Sequence, residues 1–213
     1  MADGGGLGKM PAASEVDHRM ARPREFDEEA VLDAAMQCFW AQGYEATSVK
    51  DLIERTGLTA ASLYNAYGDK RAMFRTALDH YIENSVGARI RRSEALPPRE
   101  AIRSFFDDIL RRSLGDRDRK GCMIVNSALE MAPHDQEFRE TIVDTLRRLE
   151  SFFLDCVGRG QAEGTITSSR PAAGLAQHLL GVLMGVRVLA RVRPERPLLE
   201  GVINTALGFL DSP

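Results

Sequence analysis

The sequence is short of the residues that many enzymes and disulfide-bonded proteins depend on. It has three cysteines, four histidines and one tryptophan among 213 residues. The cysteines are odd in number and far apart, which fits a reducing cytoplasm better than a disulfide framework. The histidines are scattered, and no H-E-x-x-H, C-x-x-C or G-x-S-x-G motif occurs. These gaps predict a protein with no metal, no cofactor and no enzymatic activity.

Long apolar runs and a signal sequence are also missing. No stretch of about 18 residues is free of polar residues, and the best candidate, LAQHLLGVLMGVRVLA, is interrupted by His178 and Arg187. Residues 1–21 are rich in Gly and Ala and lack the apolar segment of a signal peptide. We therefore expect no membrane partner and a cytoplasmic location, with residues 1–21 as a flexible tail.

Strand patterns are missing as well, because apolar residues recur three or four apart along the chain. We predict an all-α fold of about nine helices. The predicted domains are a three-helix N-terminal domain at 22–80 and a helical domain at 81–213. A long helix starting at Lys70 should join them.

Residues 47–70, TSVKDLIERTGLTAASLYNAYGDK, carry a dense set of helix start and stop signals. Ser48 and Asp51 resemble a capping box, and Thr59 is placed to cap the next helix. Gly57 stands where the chain must turn, since glycine adopts a positive φ at little cost. Two short helices joined by a tight turn form a helix-turn-helix. An ordinary helical hairpin would give the same spacing.

The second of these helices, AASLYNAY, favours DNA binding because it is small, uncharged and aromatic. Small residues let a helix approach the major-groove floor, Asn reads adenine, and a Tyr hydroxyl donates to phosphate. Lys70 follows at a helix start, where a cation is electrostatically unusual. Ahead of the first helix, Arg22 and Arg24 could act as a basic arm. The predicted DNA-binding residues are Arg22, Arg24, Thr47, Lys50, Thr59, Ala60, Ala61, Tyr64, Asn65, Tyr67 and Lys70.

Residues 26–78 resemble the DNA-binding domain of the TetR family of bacterial transcriptional regulators. The matching motifs are F-x-x-x-G-Y, T-S-V-x-D-L, a G-L-T turn and L-Y-x-x-Y-x-x-K. This resemblance implies a dimer that binds a palindromic double-stranded DNA operator, most often as a repressor, and is released by a small-molecule effector. It also implies that the second domain is a ligand-binding and dimerisation domain.

The charge of the N-terminal domain argues against DNA binding. Residues 22–80 contain seven Lys and Arg residues against ten Asp and Glu residues, whereas nucleic-acid-binding domains are usually basic. The acidic residues concentrate on the first helix. The basic residues that flank the reading helix are Arg22, Arg24, Lys50, Lys70 and Arg71. DNA binding therefore requires a positive surface around that helix. A helical adaptor that binds protein through residues 47–70 is the alternative, and an activator of the same fold is another.

Polar residues on apolar helices predict where an effector would bind, since burying a polar group without a partner costs roughly 1–3 kcal/mol. Asn126, His178 and Arg187 are such residues. Arg187 could hold a ligand carboxylate, and an intersubunit ion pair is an equal alternative. The predicted effector-binding residues are Phe105, Ile109, Cys122, Met123, Asn126, Phe153, His178, Met184 and Arg187.

Cys122 is the most specific of these residues. It stands at a predicted helix N-terminus directly after Arg119 and Lys120, and both features lower the pKa of a thiol. Its segment, GCMIVN, also resembles family members that sense electrophiles or small unsaturated acids. The hypothesis is an effector of that class, and an inert, half-buried cysteine is the alternative.

The last two predicted helices, at 172–193 and 197–210, are apolar over most of their surface. Such helices lie either at the centre of a protein or at an interface. We predict a four-helix contact between two copies, which would place the reading helices about 34 Å apart, one turn of DNA. The predicted dimer residues are Leu175, Leu179, Val182, Val186, Val202, Ile203, Ala206 and Leu210.

Overall fold

A computed structural model describes Met1 and residues 27–211, and these residues contain helices and no strand. Ten α-helices and one π-helical segment follow one another along this part of the chain. Because α4, the π segment and α5 continue as one rod, the described residues form nine helical rods, which confirms the predicted all-α fold. Arg22, Arg24 and residues 2–21 of the predicted tail lie outside the described residues.

The bounds agree closely with the predicted ones. The N-terminal helices are α1 (Glu28–Gln42), α2 (Val49–Thr56), α3 (Ala60–Tyr67) and α4 (Lys70–Tyr81). The π segment (Ile82–Gly87) leads into α5 (Ala88–Glu94). The remaining helices are α6 (Pro98–Gly115), α7 (Met123–Glu130), α8 (Gln136–Ala162), α9 (Ala172–Val192) and α10 (Arg196–Gly208).

Local capping fixes the helix-turn-helix. The Ser48 N–H donates to Asp51 Oδ2 at 2.8 Å and the Asp51 N–H donates to Ser48 Oγ at 3.1 Å, which is the predicted capping box. Thr59 Oγ1 accepts from the Ser62 N–H at the start of α3. Gly57 ends α2 with φ 71°, in the left-handed region that favours glycine.

Aromatic side chains hold α1 and α4, the helices on either side of the helix-turn-helix, against α8. Phe39 of α1 packs edge to face on Phe74 of α4, and Phe74 packs on Phe138 of α8 with 5.1 Å between centroids. In α3, Leu63 alone is fully buried. One buried anchor on an eight-residue helix leaves the opposite face free to meet a partner.

A continuous rod carries the chain out of the N-terminal helices. It runs through α4 and α5 without a break, and the π-helical segment from Ile82 to Gly87 lies in its middle. The long helix was predicted from Lys70, but its π segment was not. Such segments often occur near functional sites. The domain division at residue 80 stays a prediction, since the rod passes through it.

Six of the eight residues that were predicted to form the dimer contact are buried within the single chain, which corrects the prediction for them. These six are at most 3% exposed within the single chain, because α9 and α10 pack on α6 and α8. Their side chains therefore pack mainly inside the protomer and not on an exposed face. The corrected residues are Leu175, Leu179, Val186, Ile203, Ala206 and Leu210. Val182 and Val202 are half-buried beside an outer groove that His178 and Phe209 also line.

A different face of α9 is exposed. Gly174, Gly181 and Gly185 share that face, and a Cβ built on any of them would meet nothing within 4 Å. Val188 and Val192 extend the face and are 46% and 63% exposed. Small residues in such a row allow another helix to approach closely. We refer to these five residues as the α9 glycine face.

The composition of α9 also meets the criteria for a membrane span, which was not expected. Among the described residues it is the one helix that does so, with 21 residues and a mean hydropathy of 1.5. Core helices of soluble proteins meet the same criteria. The packing of α9 against α8 and α10 and the buried Arg187 within it give its apolar composition a role inside the fold.

A buried ion pair ties α5 to α6. Arg89 Nε donates to Asp108 Oδ2 at 2.7 Å, and the two side chains are 8% and 10% exposed. Arg112 and Arg111 also donate to this carboxylate. Burial raises the pKa of Asp108, but the arginines outweigh it and hold the pKa below its usual range.

Replacing Asp108 with alanine should destabilise the protein by roughly 3 kcal/mol, because Arg89 would remain buried without its partner. Chemical denaturation followed by circular dichroism measures the loss. The matched control is Asp144→Ala, whose ion pair with Arg147 is 73% exposed on both sides and should contribute at most about 0.5 kcal/mol. Equal losses in the two variants would contradict a structural role for the buried pair.

Candidate nucleic-acid interface and effector cavity

The outer face of α3 is formed by predicted DNA contacts. Those with exposed side chains are Thr59, Ala60, Ala61, Tyr64 and Asn65. Tyr64 is 47% exposed, whereas Leu63 on the opposite side is buried. The exposed face consists mainly of small side chains and carries no charged one, so it can approach base edges closely. Tyr67 is half-buried at the end of the helix.

Thr47 does not belong to this surface, and the prediction that its side chain contacts DNA is wrong. Thr47 is fully buried, and its hydroxyl donates to the Gly43 carbonyl at 2.6 Å. A hydroxyl already committed inside the loop cannot also reach DNA. Lys50, by contrast, is exposed, and its ion pair with Glu54 at 3.7 Å is of the weak surface kind that a phosphate can replace.

Lys70 is held by the loop between α1 and α2. Its Nζ donates to the carbonyls of Tyr44 at 3.0 Å and Thr47 at 3.1 Å, and it lies 4.3 Å from the centroid of the Tyr44 ring. These partners carry no net charge, so Lys70 still adds positive potential beside α3. A direct grip on a phosphate would require it to leave these carbonyls, which differs from the prediction.

Arg71, which was expected to flank the reading helix, binds α8 instead. Its guanidinium donates to Asp135 at 2.8 Å and to Glu137 at 2.6 Å, which neutralises its charge. Within the described residues, the positive groups on α2 and at the start of α4 near the reading helix are therefore Lys50, Arg55 and Lys70. Asp51, Glu54 and Asp69 lie on the same elements, so the positive surface that DNA binding requires stays a prediction.

Glu130, the last residue of α7, also binds the loop between α1 and α2. Glu130 Oε2 accepts from the Tyr44 N–H at 3.1 Å, and Oε1 accepts from the Glu45 N–H at 2.8 Å. Gly43 has φ 88°, and a Cβ there would lie 2.8 Å from Glu130 Oε2. We call this contact the Glu130 latch. Sequence reasoning missed it, because its residues are 85 and 86 positions apart and no local pattern marks them.

Cys122 lies at the other end of the same short helix. It is the N-cap residue of α7 and 9% exposed. Lys120 turns away, since its Nζ donates to Gln37 at 3.0 Å and sits over the Trp40 ring, and Arg119 is exposed to solvent. The neighbouring cations named from the sequence are therefore not the groups that act on this thiol.

The cation beside Cys122 is Arg187 of α9. Burial raises the pKa of the thiol, but the Arg187 charge, the Val125 N–H and hydrogen bonds from Tyr81 and Arg187 lower it by more. The Tyr81 hydroxyl lies 3.7 Å from the sulfur and donates to it. Burial raises the pKa of Cys156 to about 11. Cys122 is therefore the thiol whose surroundings favour the reactive thiolate.

Two connected spaces lie around Arg187. The larger is a cavity of about 510 Å³ between α1, α4, α6 and α9, and Trp40, Tyr81, Lys120 and Arg187 are among the residues that line it. The smaller, about 20 Å³, lies against Cys122 and is largely apolar. Tyr81, Arg89 and Arg187 line both. We call the larger space the vestibule and the smaller the thiol pocket.

The predicted effector residues divide into two groups. Those that line the thiol pocket are Phe105, Ile109, Cys122, Met184 and Arg187. The other four lie elsewhere: Met123 and Phe153 are packed in the core, Asn126 bonds Lys120 and Arg191, and His178 stacks edge to face on Phe209 at the outer groove.

Trp40 and Tyr81 were missed as site residues. An aromatic residue at helical spacing packs inward more often than it binds a ligand, so the sequence pattern alone favours a core position for Trp40. It is only half-buried and packs edge to face on Tyr81. The sequence signal that could have revealed Trp40 is its position directly after Phe39, which is fully packed. Neighbouring residues on a helix point in different directions, so Trp40 points away from the core that Phe39 fills.

Comparisons with known proteins agree with this arrangement. Residues 31–77 match the family described as bacterial regulatory proteins, tetR family, and residues 98–205 match the tetracyclin repressor-like C-terminal domain. The chain is 33% identical over 195 residues to YezE of Bacillus subtilis, an uncharacterized HTH-type transcriptional regulator, with 90% of this chain and all of the relative covered. It is 29% identical over 188 residues to the transcriptional repressor ComR of Escherichia coli, covering 87% of this chain and 90% of ComR.

A solved structure extends the likeness to three dimensions. A cysteine-substituted form of the TetR-family regulator CifR, complexed with 26-base-pair operator DNA, superimposes with a TM-score of 0.79 at 30% identity. The alignment covers 90% of this chain and all of CifR. Regulators of this family act as dimers on double-stranded DNA and respond to small-molecule effectors. On its two family matches, its curated relatives and its fold, this chain belongs to the TetR family and is a helix-turn-helix, DNA-binding transcriptional regulator.

Proposed function

We propose that the chain is a repressor that binds a palindromic operator as a homodimer and leaves it when a small effector occupies the site around Arg187. The observation that carries this proposal is the outward, uncharged face of α3, together with the contact that Glu130 makes from α7 to the loop between α1 and α2. With few cations beside it, α3 gains specificity from close fit to base edges more than from phosphate contacts. The protein acts in the cytoplasm, where the DNA is.

The dimer forms through the α9 glycine face. Close approach of two α9 helices is supported by its three glycines, and the exposed valines supply apolar area. Obligate interfaces of this kind often bury roughly 2,000 Å² or more. Pairing there leaves the buried side of α9, with Arg187, free to serve the effector site of each protomer.

The effector is a small electrophile or unsaturated acid that reaches Cys122. In the covalent form, the thiolate adds to the β-carbon of a carbon–carbon double bond conjugated to a carbonyl. The π electrons move to the α-carbon, which takes a proton from solvent, so no oxidant is needed. Arg187 supports this step because it stabilises the thiolate before the attack. A non-covalent ligand in the same space would act on the same groups.

The signal passes along α7. Cys122 is its N-cap, and Glu130 ends the helix at the latch. A rigid helix of eight residues moves as a unit, so displacement at the thiol displaces the carboxylate. Losing the latch frees the α1–α2 loop, and with it the orientation of α3. A coupling free energy of about 1–3 kcal/mol is enough to change operator occupancy usefully.

A gel shift on the DNA flanking its own coding region tests operator binding. We expect a sequence-specific complex that weakens as salt rises. Tyr64→Phe should weaken binding to all sequences alike, whereas Asn65→Ala should cost about 1–3 kcal/mol of discrimination at one base pair. Asn204→Ala, on the exposed side of α10, is the matched control. A protein adaptor would give no specific, salt-sensitive complex, and that result would end the repressor proposal.

The pH dependence of Cys122 labelling tests the role of Arg187. The lowered thiol pKa means that the reactive thiolate persists to lower pH than in an ordinary cysteine. Arg187→Met should therefore raise the pH at which monobromobimane labelling reaches half its maximal rate, with Cys122→Ser as the blank. Arg193→Met removes an arginine paired with Glu195 and should leave the profile in place. An unchanged Arg187→Met profile would show that Arg187 does not activate the thiol.

A reporter assay with an electrophile separates the two effector modes. Cys122→Ser should abolish induction if the thiol is modified, and an unchanged response would rule out the covalent mode while leaving the non-covalent one.

Removing the latch should uncouple effector from operator. Glu130→Ala should keep effector affinity within about twofold and reduce the effector-induced loss of DNA affinity by at least about fivefold. Gly43→Ala should act in the same direction, because its Cβ would displace the carboxylate. Glu140→Ala on α8, which bonds only its helix neighbour Gln136 among the contacts seen, is the control. Full coupling in the Glu130 variant would exclude α7 as the path.

A further inference from the structure

Two hydrogen-bond donors beside the vestibule lack acceptors. Trp40 Nε1 and Arg187 Nε are both shielded from solvent, and neither has a hydrogen-bond partner among the described residues. Both residues line the vestibule, and Arg187 is 7% exposed. A buried donor without a partner costs on the order of 1–3 kcal/mol, so native proteins seldom leave two in one place without a reason. A ligand that brings an acceptor would remove this cost.

The charges around the vestibule select an anion. Its lining includes five cationic side chains and two acidic ones, and two of the cations, Arg89 and Arg112, are already paired with Asp108 behind the wall. The cations are Arg89, Arg112, Arg117, Lys120 and Arg187, and the acids are Asp116 and Asp118. One of these cations, Lys120, lies over the Trp40 ring, 5.0 Å from its centroid. Its ammonium can move from that ring onto an incoming anion without leaving the cavity wall.

The adjoining thiol pocket favours an apolar group at the other end of the ligand. Phe105, Ile109, Leu183 and Met184 make most of its wall apolar. It shares Tyr81, Arg89 and Arg187 with the vestibule, and its volume of about 20 Å³ has room only for the tip of a hydrocarbon chain. A chain anchored at Arg187 would therefore lie in the vestibule with its end toward Cys122. A free phosphate has no group that would use this wall, whereas a short-chain carboxylate does.

We infer that the vestibule is a recognition site for a small organic carboxylate, held between the Trp40 indole N–H and the Arg187 guanidinium with its hydrocarbon end toward Cys122. This inference rests on the proposed effector-controlled function and names the ligand class of that site. Trp40 belongs to α1, in the segment that matches the DNA-binding family, and Arg187 belongs to α9. A ligand at this site would therefore contact α1 directly, and α1 precedes the helix-turn-helix. This contact would act in addition to any effect that passes through α7.

The position of the single tryptophan makes the site directly observable. Hexanoate should change the Trp40 emission in a saturable way when the full-length protein is excited at a wavelength that selects indole. Hexanamide has the same chain without the charge, and inorganic phosphate has the charge without the chain. Both should bind at least about tenfold more weakly, which corresponds to about 1.4 kcal/mol.

Substitutions locate the contact. Arg187→Gln should weaken hexanoate binding by at least about tenfold, and Arg193→Gln, an arginine that pairs with Glu195 in the α9–α10 turn, should leave it unchanged. Trp40→Phe keeps the aromatic packing on Tyr81 but removes the donor. The rise in melting temperature that hexanoate produces should shrink in this variant, and this measurement decides the matter even if Arg187→Gln does not fold.

Two results would overturn the inference. One is equal binding of hexanamide and hexanoate. The other is an unchanged Trp40 signal with every straight-chain carboxylate from acetate to octanoate. Either result together with an intact gel shift in the absence of ligand would leave the repressor proposal standing with another effector class. A missing gel shift with a saturable hexanoate signal would reject the repressor proposal and keep the carboxylate site.

Discussion

The loop between α1 and α2 satisfies its backbone groups with side chains from two other helices. Buried or half-buried backbone groups need partners, and a short loop cannot supply all of its own. Lys70 binds two of its carbonyls, and Glu130 binds two of its N–H groups. One partner comes from the helix that follows α3 and the other from the effector-binding side. The loop is therefore in direct contact with both α4 and α7.

Arg187 makes the contacts at the other end of α7, next to its N-cap residue Cys122. It donates to Ser113 at 3.0 Å and to the Gly121 carbonyl at 2.6 Å, and it stabilises the Cys122 thiolate. A buried guanidinium with one unpaired donor is costly, and an anion bound as proposed would lower that cost. Binding energy at this point is therefore available to shift the equilibrium between two states of the protein.

DNA recognition by this protein combines an uncharged reading helix with few nearby cations. Phosphate contacts usually supply much of the affinity and fix the register, whereas base contacts carry the sequence information. Here Lys70 is drawn into the loop and Arg71 is neutralised by α8. Two reading helices in one dimer compensate for weak single contacts, because both half-sites bind together.

The sequence by itself determined the helices, their caps and the helix-turn-helix, because these depend on residues within a few positions of one another, such as Ser48 with Asp51. It also determined that Cys122 begins a helix. Only the tertiary structure decided which neighbour acts on that thiol: Arg187, which is 65 positions away, and not the adjacent Lys120. It also decided that Leu179 faces the core while Gly181 faces outward. When a helix is apolar on several sides, its sequence does not show which side packs against a neighbour. Contacts across the chain, such as Glu130 with Tyr44, arise from packing, which no short stretch of sequence encodes.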